Sequence, residues 1–154
     1  MELLMETKGI RILDKENNHV SVDLKDILVE IDGEQFNWSM LYFDGMGHLG
    51  KWGTIPDFEE MVNESENGLF ISWKDLNELA NLFREIIDII IIGCKDTKQL
   101  MRYEEDEKMY RSCDIVIVKF DSCFWEVFAY DQQLIKRFSK KFNKIKWLEP
   151  DFEK

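Results

Sequence analysis

The sequence predicts a single α+β domain, residues 1–154, with a mainly antiparallel sheet covered by helices. Three observations predict it. Around residues 36–42 and 113–130, apolar side chains come in short strand-length runs divided by turn signals, which is the pattern of hairpins. Residues 72–87 and 131–142 instead repeat apolar positions at helical spacing, which turns one face of each helix toward a core. No repeat, low-complexity tract or Pro/Gly/Ser-rich linker divides the 154 residues, a length that suits one core.

The elements follow in order. "IRIL", "HVSVDL" and "DILVEID", between residues 10 and 32, read as short strands joined by turns. After the Asp32-Gly33 turn signal, "QFNWSMLYF" places Phe36, Trp38, Met40 and Tyr42 on one face of a strand and Asn37 and Ser39 on the other. "LYFDGMGHLGKWG" then presents Gly45, Gly47 and Gly50 at the spacing G-x-G-x-x-G. A dinucleotide loop needs a helix to start at the third glycine. Gly53 and Pro56 interrupt any such helix, so the expectation is a hairpin turn with positive φ at Gly45 or Gly47 and "HLGKW" returning as a strand.

"DFEEMVNES" follows as a short helix with Phe58, Met61 and Val62 inward. Ser72 and Asp75 form an S-x-x-D start for the longest helix signal, carried by Trp73, Leu76, Leu79, Ala80, Phe83, Ile86 and Ile87. "IIIIGC" is then a buried strand, or the helix's last turn leading into one. The charged stretch 96–112 reads as a solvated loop or a frayed helix. "CDIVIVKF" and "CFWEVFAY" make an antiparallel hairpin turning at Asp121-Ser122, and Asp131 caps a final helix whose stripe is Leu134, Ile135, Phe138 and Phe142.

Charge narrows the function. The net charge is −11, but residues 132–148 hold six basic residues and no acid, which leaves −15 on residues 1–131. Such a body repels phosphate backbones and attracts cations or basic proteins, so nucleic acid is not an expected partner. The basic helix is mostly lysine, with Phe138 and Phe142 in its apolar stripe, and reads as a solvated face rather than a nucleic-acid site. Cys94, Cys113 and Cys123 form no C-x-x-C pair and sit in apolar contexts, as reduced, half-buried structural thiols do. The N-terminus has acids where a signal peptide has bases, and no apolar run reaches a membrane span; the expected location is the cytoplasm, without a membrane.

Chemistry is sparse. His19 and His48 are the only histidines and lie in no ligand motif. There is no G-x-S-x-G elbow, and no one pair among the many carboxylates stands out as a dyad. The expectation is therefore a non-enzymatic protein with no cofactor and no metal. The alternative is a small-ligand or metal-dependent enzyme using carboxylates at strand ends around Asp44 and Asp121.

Two segments carry a resemblance: "NGLFISWKDLNELANLF", Asn67 to Phe83, and "DSCFWEVFAYDQQLIKRFSKKF", Asp121 to Phe142. The N-G-x-x-x-S-W helix start and the later Asp-Ser turn, aromatic strand and D-x-x-L-I-x-x-F helix resemble small bacterial immunity proteins of polymorphic toxin systems. That resemblance implies a stoichiometric inhibitor of a cognate protein toxin, and the acidic body implies a basic one. Candidate contacts are acids beside aromatics, since aromatics anchor interfaces and charges steer approach. "YEEDEKMY" supplies Tyr103, Glu104, Glu105, Asp106, Glu107 and Tyr110. "KWGTIPDFEE" supplies Trp52, Asp57, Glu59 and Glu60, with the indole expected on an exposed glycine-rich loop.

Overall fold

The computed structural model describes residues 7–148. Its elements are β1 (Lys8–Ile12), a small hairpin of β2 (Lys15–Glu16) and β3 (His19–Val20), α1 (Leu24–Leu28), β4 (Asn37–Gly47), α2 (Ile55–Asn63), β5 (Leu69–Ile71), α3 (Trp73–Leu82), β6 (Phe83–Cys94), α4 (Asp106–Ser112), β7 (Ile115–Phe120), β8 (Phe124–Ala129), α5 (Gln132–Lys141) and β9 (Ile145–Leu148). Seven strands form one antiparallel sheet in the order β5-β4-β6-β7-β8-β1-β9. The expected α+β class and antiparallel sheet are therefore found.

Local chemistry explains the turns and helix starts. Asp121 and Ser122 have φ of 47° and 58° between β7 and β8, and Asn17 and Asn18 have 53° and 67° between β2 and β3. Two successive positive φ values match the twist of a tight hairpin, and Asn and Asp tolerate them best. The Ser72 hydroxyl accepts from the Asp75 amide at 3.1 Å, and Asp131 accepts from the Gln133 and Leu134 amides at 3.0 and 3.3 Å. Each satisfies amides that a helix N-terminus leaves bare.

The sheet has two unequal faces. On one, α1, α2, α3 and α5 bury Ile10, Trp38, Met40, Phe43, Ile89, Ile91, Ile117, Trp125 and Val127 in a continuous core. The Trp38 and Trp125 indoles donate to the carbonyls of Gly33 at 2.9 Å and Val22 at 2.8 Å, so neither nitrogen is left orphaned in the core. On the other face, α4 and the chain before it cover a smaller cluster of Leu41, Ile92, Leu100, Met109, Val116 and Phe128. Beyond that cover Tyr42 and Phe120 stand exposed.

Several expectations change. "DLKDIL" is the helix α1, not a strand, because Leu24, Ile27 and Leu28 recur at helical spacing and the Asp26 carboxylate accepts from the Asp23 amide at 2.8 Å. A β-bulge shifts the register between Met40 and Tyr42, which sends Leu41 to the smaller cluster and Tyr42 into solvent. α3 ends at Leu82, so Phe83, Ile86 and Ile87 belong to strand β6, and "IIIIGC" is that strand's buried end. Met61 faces solvent instead of the core, while Phe58 and Val62 are fully buried. Residues 106–112 form a defined helix, and the unforeseen β9 adds a seventh strand.

The glycine expectation changes too. Gly45 and Gly47 lie inside β4, and "HLGKW" runs into a 3-10 turn, Gly50–Trp52, not a strand; positive φ falls on Gly50 and Gly53. A Cβ on Gly45 would sit 2.5 Å from the Glu85 carbonyl oxygen, and one on Gly47 2.5 Å from that of Leu82. These glycines let β4 close on β6 where the register slips.

β4 outruns its neighbour β5, which pairs only with Trp38–Met40. Past that point the Asn63 carboxamide accepts from the Phe43 amide at 3.0 Å and donates to the Phe43 carbonyl at 3.2 Å. A side chain at the end of α2 thus occupies the position of the missing strand.

Candidate functional site

The two predicted acidic patches lie on opposite faces of the sheet, because α2 packs into the larger core and α4 into the smaller cluster. Arg102 ties their surroundings together. From the loop before α4, its guanidinium donates to the carbonyls of Ser65 at 3.0 Å, Val62 at 2.9 Å and Leu41. It therefore places a cation at the C-terminal end of α2, where the helix dipole favours one.

In the Tyr103–Tyr110 patch the aromatics are packing groups. The Tyr103 hydroxyl donates to the Gln99 carbonyl at 2.7 Å, and the Tyr110 ring stacks on Phe128 with centroids 3.8 Å apart. Burial pushes both phenols well above their usual pKa. Glu104, Glu105, Asp106 and Glu107 are exposed, but Glu105 is the N-cap residue of α4 and Asp106 and Glu107 fill its first turn. Acids there stabilise the helix dipole, so this patch has a sufficient structural cause.

The patch on α2 has that cause only at Asp57, which lies in the helix's first turn. Thr54 caps the helix through the Asp57 amide at 3.2 Å, and the side chains of Asp57, Glu60, Met61 and Glu64 are exposed, with Glu59 half-buried. Asp57, Glu60, Met61, Glu64 and Ser65 line one shallow depression. Spacings of three and four residues put these carboxylates side by side, where like charges repel, and Glu60 and Glu64 also lie toward the negative end of the dipole. Among the described residues, the ion pairs join Arg11 to Glu126, Lys51 to Asp75 and Glu78, and Lys141 to Glu30, and none reaches the α2 acids. Trp52 differs from its expected exposure. It is half-buried with its ring edge-on to Phe58 at 6.2 Å, and its indole nitrogen is buried without an acceptor.

The basic C-terminal helix answers the acidic body within the chain. Lys141 pairs with Glu30 at 3.1 Å and donates to the Asp26 carbonyl at 2.6 Å, while Arg137 donates to the Glu30 carbonyl at 3.1 Å. These cations cap the C-terminal end of α1. Lys136 and Lys140 remain exposed.

Of the alternative carboxylates, Asp44 faces Asp88 across β4 and β6, and the Asp88 carboxylate accepts from the Asp121 amide at 2.7 Å. Asp88 thus anchors the β7–β8 turn. Among the described residues, no three His, Cys, Asp or Glu side chains are grouped to hold a metal ion. Cys94 and Cys113 are buried beneath Tyr103 and share a hydrogen bond that, with burial, pushes the Cys94 thiol well up. Cys123 is exposed in the hairpin turn, contrary to the expectation of three half-buried thiols, because the tight turn carries it clear of the sheet.

One group escaped the sequence reading. Lys119 follows Ile115 and Ile117 at strand spacing, which sends it to the helical face, where it is 9% exposed. It looks into a cleft of about 310 Å³ bounded by His19, Asp23, Arg84, Glu85, Ser122 and Trp125. The signal was a lysine at a core parity within "IVIVKF". No described helix is long and apolar enough to cross a membrane. Comparison with family models, with curated proteins and with solved structures returns no match to this chain.

Proposed function

We propose that this chain is an immunity-type protein that binds and inhibits a cognate basic protein toxin, with the outer face of α2 as its contact surface. The observation that carries the reading is the row Asp57, Glu60 and Glu64 around the exposed Met61, whose carboxylates form no ion pair among the described residues. Glu60 and Glu64, which lie toward the negative end of their own helix, gain most from partner charges supplied from outside. The surplus of −15 on residues 1–131 adds long-range attraction for a cationic partner and speeds encounter. An inhibitor of this kind needs no catalytic group; it presents carboxylates where a nuclease-type toxin binds phosphates. Tyr103 to Tyr110 serves as the second, weaker contact, since its aromatics are committed to packing.

The test is co-purification with the product of the neighbouring gene at low salt. A complex is expected, with association slowed about tenfold or more in the triple variant Asp57→Asn, Glu60→Gln, Glu64→Gln and with a flatter salt dependence. Absence of any complex with that product at low salt overturns the proposal. A complex unaffected by the triple variant moves the interface off α2.

A further inference from the structure

The cleft beside Lys119 is independent of the α2 face and lies where β3, α1, the end of α3 and the β6 bulge meet above the sheet. Its floor is apolar: Leu24, Ala80, Phe83, Ile86 and Trp125 line it, and the Trp125 ring centroid lies 5.3 Å from the Lys119 amine. Its rim is polar, with His19, Asp23, Arg84, Glu85 and Ser122. Lys119 is nine-tenths buried, yet no described residue accepts a hydrogen bond from its amine or forms an ion pair with it within 4.0 Å. Its stem is held in the core while its amine opens on the cleft, so the amine is presented to whatever enters there.

From this geometry we infer that the cleft is a carbonyl-binding site in which Lys119 forms an imine with a small aldehyde or ketone whose apolar body lies against the half-buried Phe83. Burial lowers the Lys119 pKa, against the opposing pull of Asp23 and Glu85, and so enlarges the fraction of neutral amine that can attack. The step balances without a co-reactant. The amine nitrogen adds to the carbonyl carbon, a proton moves from nitrogen to oxygen to give the carbinolamine, and loss of one water leaves the C=N bond. The Asp23 and Glu85 carboxylates at the rim suit the later, protonated imine, whose charge they favour. His19 is the remaining titratable group at the rim that faces the site, and Arg84 is a fixed positive charge beside it.

The experiment is trapping with benzaldehyde and cyanoborohydride at neutral pH on the full chain, read by peptide mass spectrometry. Lys119 is expected to gain the benzyl group several-fold faster than the exposed Lys74 and Lys25, because the cleft holds the aldehyde against its amine. Benzyl alcohol, which fills the cleft but cannot form an imine, is expected to protect Lys119 and leave Lys74 unaffected. Equal labelling of Lys119 and the surface lysines, or faster labelling at Lys119 that benzyl alcohol fails to suppress, overturns the inference. Lys119→Met, checked for an unchanged circular dichroism spectrum, is expected to remove the fast phase; a fast phase that persists assigns it to another amine and also overturns it. Neither result bears on toxin binding at α2.

Discussion

The two faces of the sheet are built differently. The helical face carries Trp38, Phe43 and Trp125 with at most 2% exposure, and both indoles are hydrogen-bonded. The opposite face has one seven-residue helix and a loop over part of it, and leaves Tyr42 41% and Phe120 59% exposed. The difference shows where stability resides. One face holds the fold, and the other is closed by a segment fixed mainly at a few points, among them Met109, Tyr110 and Arg102.

Substitutions on each side sharpen that contrast. Trp125→Ala leaves a large hole in the helical core and is expected to cost about 3 to 5 kcal/mol in denaturant unfolding. A loss under about 1 kcal/mol would mean the core collapses around the site. Arg102→Ala strips donors from the carbonyls of Val62, Ser65 and Leu41, and about 1 to 3 kcal/mol is expected. Its more telling readout is hydrogen exchange, which should rise in residues 95–113 and at the end of α2 but not in β7 or β8. The smallest effect concerns Lys119. Its folded pKa is lowered by burial below the usual 10.5, so folding pays for a desolvated ammonium at neutral pH. Lys119→Met is therefore expected to melt higher than the parent at pH 7. The gap narrows as pH rises from the lowered pKa toward 10.5, because the folded parent loses the proton before the unfolded chain does. A gap independent of pH would assign the effect to packing alone.

What was legible in the sequence was local. The Asp121-Ser122 hairpin, the Ser72 and Asp131 caps and the α5 stripe each depend on a few neighbouring residues, and all are found. What escaped depends on the partner strand. The bulge at Leu41 is set by how β4 meets β6, and it alone decides that Tyr42 leaves the core and Phe43 enters it. The five residues of α1 are too few for helical and strand periods to be told apart. For the candidate site, the acids of α2 were named from composition, but Glu64 and Met61 joined them only once the helix was placed. Trp52 and Tyr110, expected as anchors, are held by neighbouring rings, and Tyr103 by its hydrogen bond to Gln99.

The Asn63 amide has a consequence for how this molecule meets other chains. By bonding both the amide and the carbonyl of Phe43, it occupies the backbone groups that a foreign strand would pair with there. An open strand flank is a template for aggregation and for strand addition. With Asn63 in that place, two copies of the chain cannot zip together strand to strand at Phe43 of β4.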